Sequence, residues 1–251
     1  MKILLLDIET APNKVYTWGL WKQNIALNQI DEVGYTLCWA AKWTDDKKQQ
    51  IMFSSIHKDG KEKMLKEVYK LLSEADAVIH YNGTSFDIPI LNQEFMVMGW
   101  TPPAPFQQID LLRTARAKFR LASNKLDFVA GYLGLGGKVQ HKGMLLWREC
   151  MEGDPKAWKQ MEKYNKQDIA LLESVYFVLK PWVANHPNHG LYMDHNRPMC
   201  PNCGGMVQKR GKYHSVTLTY QRFQCKSCGG WSKERYTSMD KEQRTNILRG
   251  I

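Results

Sequence analysis

Two acidic residues, Asp7 and Glu9, follow an early apolar run, and their types and spacing could hold a cation. The run from Ile3 to Leu6 is typical of a strand buried on both faces. Side chains in a strand alternate between faces, so the two carboxylates point the same way, roughly 7 Å apart along the strand. Neighbouring carboxylates at the end of a buried strand repel each other and are poorly solvated, and a cation relieves both effects. The alternative is that the strand simply reaches the surface here.

Three further residues have types that could complete such a site. Asp87 lies where a buried strand is expected to give way to a helix, and sites form beyond strand ends in α/β sheets. Tyr164 and Asp168 are four residues apart in a predicted helix and therefore share one face. Taken singly, Asp87 could be a helix N-cap, Asp168 a solvated helix acid and Tyr164 a half-buried tyrosine. Together with Asp7 and Glu9 they offer four carboxylates and a phenol, and hard divalent cations prefer such oxygen ligands.

The three segments that carry these residues resemble the three motifs of the DEDD 3′→5′ exonucleases, a ribonuclease H-like superfamily. Asp7-Ile8-Glu9-Thr10 is similar to the first motif. Residues 82–87 are similar to the second, and residues 164–168 to the third in its tyrosine form. Residues 82–91 and 126–138 most resemble the proofreading domain of family B DNA polymerases. The resemblance covers about residues 1–180, and 251 residues leave no room for a polymerase domain, so proofreading would require a separate polymerase partner.

The resemblance implies a phosphodiester hydrolase that uses two metal ions. Two Mg²⁺ or Mn²⁺ ions would be held by four carboxylates: Asp7, Glu9, Asp87 and Asp168. Tyr164 would orient the attacking water, and the metals would stabilise the attacking and leaving oxygens. Residues that would contact the substrate are Thr10, Asn82, Phe86 and Lys138. The implied reaction is 3′→5′ removal of 5′-nucleotides from DNA, single-stranded DNA in the first place, during replication, repair or proofreading.

Other functions stay open at this point. An RNA exonuclease, or an endonuclease acting on branched or flapped DNA, could use the same fold, because discrimination by the 2′-hydroxyl depends on the shape of the pocket. A non-catalytic nucleic-acid-binding protein that assists a polymerase is the alternative from another class. Trp18 and Trp21 could stack on the bases of a single strand, or they could pack against the protein. Lys138 and His141 could meet phosphates, or they could belong to a solvated loop.

Two Cys-x-x-Cys-Gly turns, separated by 21 residues, predict a second metal site near the C-terminus. Cys200, Cys203, Cys225 and Cys228 could converge on one tetrahedral Zn²⁺, with a β-hairpin at about 206–224 between the turns. This arrangement resembles a zinc ribbon, and the closed ligand set makes the zinc structural. Two disulfides are the alternative, which a reducing compartment disfavours. Basic and aromatic residues on this module are typical of a surface that binds nucleic acid or docks a partner.

The elements expected to position these residues alternate between strands and helices, which predicts an α/β fold. We expect a ribonuclease H-like mixed β-sheet flanked by helices over residues 1–182, a linker at 183–198, and a zinc ribbon with a basic tail at 199–251. Asp110 is expected to cap one helix. Asn124 and Asp127 have the spacing of a capping box for the next helix. A last long helix is predicted from about Pro155 to Leu179.

The net charge of +10 is unevenly distributed along the chain. Residues 1–195 carry 24 Lys and Arg against 22 Asp and Glu, a balance of +2, whereas residues 196–251 carry 11 against 3, a balance of +8. A basic terminal module favours a polyanionic partner, with nucleic acid first and an anionic membrane surface second. No apolar run approaches the roughly 18 residues of a membrane span, and the N-terminus does not read as a signal peptide. We therefore expect a cytoplasmic protein.

Overall fold

The computed structural model describes residues 1–45, 48, 50–137 and 142–250. Apart from Met1, these residues form two compact units, Lys2–Phe177 and residues 178–250. The predicted domain limits at residues 182 and 199 stay predictions, and residues 183–198 lie within the second unit. The sequence Asp45-Asp46-Lys47 is typical of a hairpin turn, and it falls partly outside the described residues. None of the helices that the structure describes is both long and apolar enough to cross a membrane.

The first unit alternates between strands and helices, as the sequence predicts. Its strands are β1 (Ile3–Thr10), β2 (Lys14–Val15), β3 (Ile30–Glu32), β4 (Thr36–Trp43), β5 (Met52–Ser55), β6 (Ala77–His80) and β7 (Gln107–Asp110). Its helices are α1 (Ile56–Asp59), α2 (Lys61–Glu74), α3 (Asp87–Val97), α4 (Leu111–Lys118), α5 (Leu126–Tyr132), α6 (Met144–Met151) and α7 (Pro155–Leu179), which runs to the boundary with the second unit.

Five of these strands form one mixed sheet in the order β5-β4-β1-β6-β7. Strand β1 is central, antiparallel to β4 on one side and parallel to β6 on the other. Strand β7 extends the parallel part, and β5 closes the antiparallel edge. The predicted mixed β-sheet flanked by helices is confirmed.

Strand β1 has two faces with different roles. Leu4, Leu6 and Ile8 are buried in a core that includes Leu65 of α2 and Leu91 of α3. Because side chains alternate along a strand, Asp7 and Glu9 point away from this core. The prediction that Ile8 faces the core between the two acids is confirmed.

The opposite face of the sheet packs against α7. Cys38 of β4, which pairs with Glu9, lies in a second buried cluster with Trp158, Met161 and Tyr164 of that helix. Helix α7 therefore covers the same side of β1 on which Glu9 lies. The pairing of β1 with β4 is irregular directly after Glu9, and such bulges change the direction of the side chains that follow.

The predicted helix starts have different outcomes. Asp110 caps α4, because its Oδ1 accepts hydrogen bonds from the backbone N–H groups of Leu112 and Arg113. The capping box predicted at Asn124 and Asp127 is wrong. Helix α5 begins one residue later than that pattern requires, with Lys125 in the N-cap position and no side-chain cap. Asp127 instead accepts a hydrogen bond from the N–H of its neighbour Phe128.

Residues 14–32, between the first motif and β4, form a small antiparallel pair of strands, β2 and β3, joined by a long loop. The side chain of Trp18 in this loop is 102% exposed and that of Trp21 is 84% exposed. The alternative that these tryptophans pack against the protein is therefore wrong for the described chain. Their stacking on nucleic-acid bases stays a prediction.

The second unit is built on a small antiparallel sheet. Its elements are β8 (Val207–His214), β9 (Thr219–Cys225), β10 (Trp231–Lys233) and α8 (Lys241–Asn246). The strands lie in the order β10-β9-β8, so the predicted hairpin between the two cysteine turns is confirmed as β8 and β9. Among the described residues 184–250, the buried hydrophobic side chains are Cys200, Phe223 and Cys225.

Candidate active site

Three of the four predicted carboxylates meet where β1 passes under α7. One ligand oxygen each from Asp7, Glu9 and Asp168 lies within 4.8 Å of the other two. Asp168 is 3% exposed, and the two strand acids are half-buried. Burying carboxylates together is unfavourable unless a cation or a set of donors compensates the charge. This cluster could therefore bind a metal ion, and its all-oxygen donors suit a hard divalent cation.

Asn165, which the sequence reasoning did not single out, orients Asp7. The Asn165 side chain is fully buried, and its Nδ2 donates to Asp7 Oδ2 over 2.6 Å. Its neighbour Tyr164 is 6% exposed, and its ring packs edge-on against Trp147 with ring centroids 5.9 Å apart. A single helical asparagine carries no sequence signal of such a role, because its partner lies 158 residues away in the chain.

Asp87 contacts β1 through a buried hydrogen bond to the strand backbone. It is the first residue of α3, where Phe86 takes the N-cap position, so the N-cap alternative for Asp87 does not hold. Its Oδ1 accepts a hydrogen bond of 3.1 Å from the backbone N–H of Ile8, between the two strand acids. Burial raises the pKa of the Asp87 carboxyl to about 7, although the N–H of Ile8 favours the charged form. Asp87 is not among the three acids whose ligand oxygens lie within 4.8 Å of one another.

Two cavities adjoin the acid cluster within the first unit. One of about 710 Å³ is lined by Asp7 and Tyr164, and also by the cations Arg116 and Lys125. Tyr81 and Asn124 also line this cavity, and the hydroxyl of Tyr81 donates to the carbonyl of Asn124 over 2.6 Å. The two cations could contact phosphates, and their formal charge is balanced by Asp7 and Asp127 on the same lining. Sequence reasoning missed the two cations because neither lies in a motif.

A second cavity of about 430 Å³ is lined by Thr10 and Phe86, which were predicted to contact the substrate. Phe86 is 42% exposed, so its ring is available for contact. The predicted contact residue Asn82 has a positive φ of 72°, and its N–H donates to Asp110 Oδ1 over 3.1 Å. Lys138 and His141, the other residues predicted to contact the substrate or its phosphates, lie outside the described residues.

The four cysteines of the second unit also converge. Their Sγ atoms all lie within 4.8 Å of one another, and the described cysteines form no disulfide. Burial raises the pKa of Cys225, but N–H groups of Cys228 and Ser227 that point at its sulfur outweigh this effect, and the pKa falls to about 7. A thiolate is therefore accessible near neutral pH, and the cluster could bind a metal ion, as expected for a zinc-ribbon module.

Comparison with known proteins agrees with this geometry. A model of the RNase H superfamily matches residues 4–180. Among solved structures, the chain is similar to the family B DNA polymerase from the hyperthermophilic archaeon Pyrobaculum calidifontis, with a TM-score of 0.52 and 15% sequence identity. That match covers 72% of this chain and 25% of the polymerase, so the chain spans about a quarter of its length. At this identity the similarity concerns the fold alone. No curated protein matches the sequence.

Proposed function

The chain belongs to the RNase H superfamily, and on this premise we propose that it is a metal-dependent nuclease that removes nucleotides from the 3′ end of a DNA strand. The observation that carries the proposal is the convergence of Asp7, Glu9 and Asp168 at a cavity that Tyr164 also lines. In the proposal Asp87, which accepts from the Ile8 N–H between the two strand acids, completes the ligand set.

The chemistry follows from the donors at this site. Divalent cations held by these carboxylates would make a bound water acidic enough to act near neutral pH and would stabilise charge on the leaving oxygen. Tyr164, fixed by its packing against Trp147, is positioned to orient that water through its hydroxyl. Asn165 keeps Asp7 directed at the cluster. In the proposal Thr10 and Phe86, which line the second cavity, contact the terminal nucleotide.

The substrate class is the finer part of the proposal. We propose single-stranded DNA, because a terminal nucleotide must be unpaired to reach buried carboxylates. An association with a DNA polymerase on another chain rests on the sequence resemblance alone. For the second unit we propose one structural Zn²⁺ on its four cysteines, since four thiolates and no water-bound position make a closed site.

A degradation assay tests the activity and its direction together. A DNA strand labelled at its 5′ end, and an RNA strand of the same sequence, are incubated with the protein and Mg²⁺ or Mn²⁺. We expect a ladder that shortens from the 3′ end on DNA, and no products without a divalent cation. Asp7→Ala and Asp168→Ala should abolish the ladder. Glu162→Gln, where Glu162 pairs with Lys166 and belongs neither to the acid cluster nor to the lining of its cavity, is the matched control and should retain it.

Each other outcome assigns a different function. A single internal cut on branched DNA would make the protein an endonuclease, and faster shortening of RNA would make it a ribonuclease. Absence of any products from a folded protein with both metals supplied would leave a binding role. If folded Asp168→Ala degraded DNA at the wild-type rate, the acid cluster would not be the catalytic site.

A further inference from the structure

The central strand of the second unit's sheet separates a buried side from an open side. Along β9, Phe223 and Cys225 are buried, whereas Arg222 between Phe223 and Gln221 is exposed. Because side chains alternate, Tyr220 and Arg222 share the face that points away from the buried side. This open face is not part of the nuclease site proposed above.

Both neighbouring strands add to the open face. Residues that pair directly across an antiparallel ladder lie on the same side of the sheet. Tyr213 of β8 pairs with Tyr220, and Lys233 of β10 pairs with Arg222. Trp231 lies two residues before Lys233 and so has the same orientation. These five residues, Tyr213, Tyr220, Arg222, Trp231 and Lys233, form what we call the aromatic-cationic face.

Cations and rings alternate closely across this face. The Nζ of Lys233 lies 4.6 Å from the ring centroid of Tyr213 and 3.9 Å from that of Tyr220. The guanidinium carbon of Arg222 lies 4.6 Å from the ring centroid of Trp231. Such cation–π contacts hold the flexible cationic side chains in place. Trp231 is nevertheless 52% exposed and Tyr213 is 44% exposed, so their surfaces remain available.

The charge around the face is one-sided. Strands β8, β9 and β10 carry five Lys and Arg residues and no carboxylate. The acidic residues of 196–251 are Glu234, Asp240 and Glu242, and all three follow β10 in the chain. Two of these five cations, Arg222 and Lys233, lie on the face itself, so it complements a polyanion, and its exposed rings add a preference that charge alone does not give.

We propose that the aromatic-cationic face binds single-stranded nucleic acid, with unpaired bases stacked on Trp231 and Tyr213 and phosphates on Arg222 and Lys233. Bases in a duplex already stack on one another, so rings on a flat sheet face can take up bases only from an unpaired strand. The ligand class rests on the proposed function, since it is the class of substrate that the nuclease would cut. The binding site is separate from the acid cluster, and the two can fail independently.

The two faces of the same sheet provide a matched comparison. Arg222→Ala with Lys233→Ala removes two positive charges from the aromatic-cationic face. Lys209→Ala with Lys212→Ala removes two from the opposite face, since Lys209 pairs with the buried Phe223. Trp231→Ala removes a ring without changing the charge.

Binding of a fluorescent 20-nucleotide oligothymidylate is measured by anisotropy at several salt concentrations. The full chain is used in an Asp7→Ala background without Mg²⁺ or Mn²⁺, so that cleavage does not interfere. We expect the Arg222/Lys233 variant to bind about 10-fold more weakly or worse, and the slope of log affinity against log salt to fall by about 1.4. Trp231→Ala should weaken binding about 5-fold or more with an unchanged salt slope. The Lys209/Lys212 variant should stay within about 2-fold of the wild type.

Folding is checked for every variant by circular dichroism and metal content, because Arg222 also donates to the carbonyl of Arg210 across the sheet. Trp231→Ala keeps that contact and tests the face alone. Equal weakening by both double variants would reduce the effect to net charge and overturn the proposal. The proposal would also be overturned if a blunt duplex bound as tightly as the oligothymidylate. The same holds if polyglutamate of matched charge displaced the oligothymidylate. If the chain does not bind the oligothymidylate although the wild type cleaves DNA, the binding proposal fails. If the chain binds the oligothymidylate but the wild type does not cleave DNA, the nuclease proposal fails.

Discussion

Asn165 is a positioning residue whose effect should appear in the metal requirement. Its Nδ2 donates to Asp7 Oδ2 over 2.6 Å. Removing a residue that hydrogen-bonds to a metal ligand typically lowers metal affinity or activity by about 10- to 100-fold. We expect Asn165→Ala to raise the Mg²⁺ concentration needed for half-maximal cleavage by about 10-fold or more, measured from rates across a Mg²⁺ series.

Cys150→Ala is the matched control for that experiment. The Cys150 thiol is buried in the cluster that also contains Cys38 and Tyr164, so the variant opens a small cavity there while the Asn165–Asp7 hydrogen bond stays. It should lower the thermal midpoint while leaving the Mg²⁺ dependence unchanged. An equal shift in Mg²⁺ dependence for both variants would mean that packing, and not the hydrogen bond to Asp7, sets the metal affinity.

Asp87 should make the metal-free protein less stable as the pH rises. Burial raises its pKa in the folded state to about 7, whereas an unfolded aspartate titrates near about 4. Between these values the folded state binds more protons than the unfolded state, so stability falls with rising pH and the loss is complete above about pH 7. Asp87→Asn removes the charge, and its side-chain oxygen can still accept from the Ile8 N–H.

We therefore expect metal-free Asp87→Asn to exceed the wild type in free energy of unfolding at pH 8 by about 1–4 kcal/mol, and to match it near pH 4. Urea unfolding in buffer free of Mg²⁺ and Mn²⁺ measures the difference. Asp31→Asn, at an exposed position in β3, should follow the wild type at both pH values. A difference for Asp87→Asn that does not change with pH would show that the carboxyl is not held neutral.

Residue types and local spacing predicted most of this site, and contacts between distant segments account for what they missed. The acids of β1 follow from strand alternation, and Tyr164 and Asp168 follow from helical spacing. The orientation of Asp87 depends on the Ile8 N–H 79 residues away, and nothing local encodes that distance. The capping box predicted at Asn124 failed because α5 begins one residue later, with Lys125 at the N-cap.

At the scale of elements, the attachment of α7 to the sheet matters because this helix carries Tyr164, Asn165 and Asp168. Lys42 of β4 reaches Glu173 of α7 with an Nζ–Oε2 distance of 2.5 Å, and the two side chains are 5% and 16% exposed. The pair Lys166–Glu162 has the same distance but is 36% and 38% exposed. The two pairs therefore differ in burial, and also in that the first joins β4 to α7 whereas the second lies within one turn of α7.

Lys42→Ala should lower the free energy of unfolding by about 2–4 kcal/mol, because it leaves Glu173 without its cation in a poorly solvated position. Lys166→Ala should cost about 1 kcal/mol or less, since water solvates the exposed partner that remains. Chemical denaturation of the two variants side by side gives the comparison. Similar losses for both would mean that burial does not control the strength of these pairs.

Strand and helix periodicity located the principal elements of the first unit, since the apolar positions of α2 and β1 are continuous and regular. The segment of residues 14–32 resisted assignment because its aromatic residues have no periodicity. The structure gives the reason: Trp18 and Trp21 are exposed, so burial imposes no pattern on them. Sequence reasoning based on burial has no information where side chains remain in solvent.

At the scale of the whole molecule, the two units are stabilised by different means. The first has extensive hydrophobic clusters on both faces of its sheet. Among the described residues 184–250 the only buried hydrophobic residue other than cysteine is Phe223. With so few buried apolar residues in this range, we expect the second unit to depend on a metal at its four cysteines for folding, since metal binding would supply the free energy that burial does not.

Cys225→Ser with Cys228→Ser should therefore unfold the second unit and leave the first intact. We expect the variant to lose its bound zinc, to become sensitive to trypsin at the many Lys and Arg residues after residue 196, and to keep a protected fragment that contains residues 2–177. Metal content and mass spectrometry of the digest report these results. Cys38→Ser with Cys150→Ser changes two buried thiols of the first unit instead, so it should retain the zinc. If the variant lacked zinc and its second unit still resisted trypsin, this unit would fold without its metal. If the variant lost the protected fragment, the two units would not fold independently.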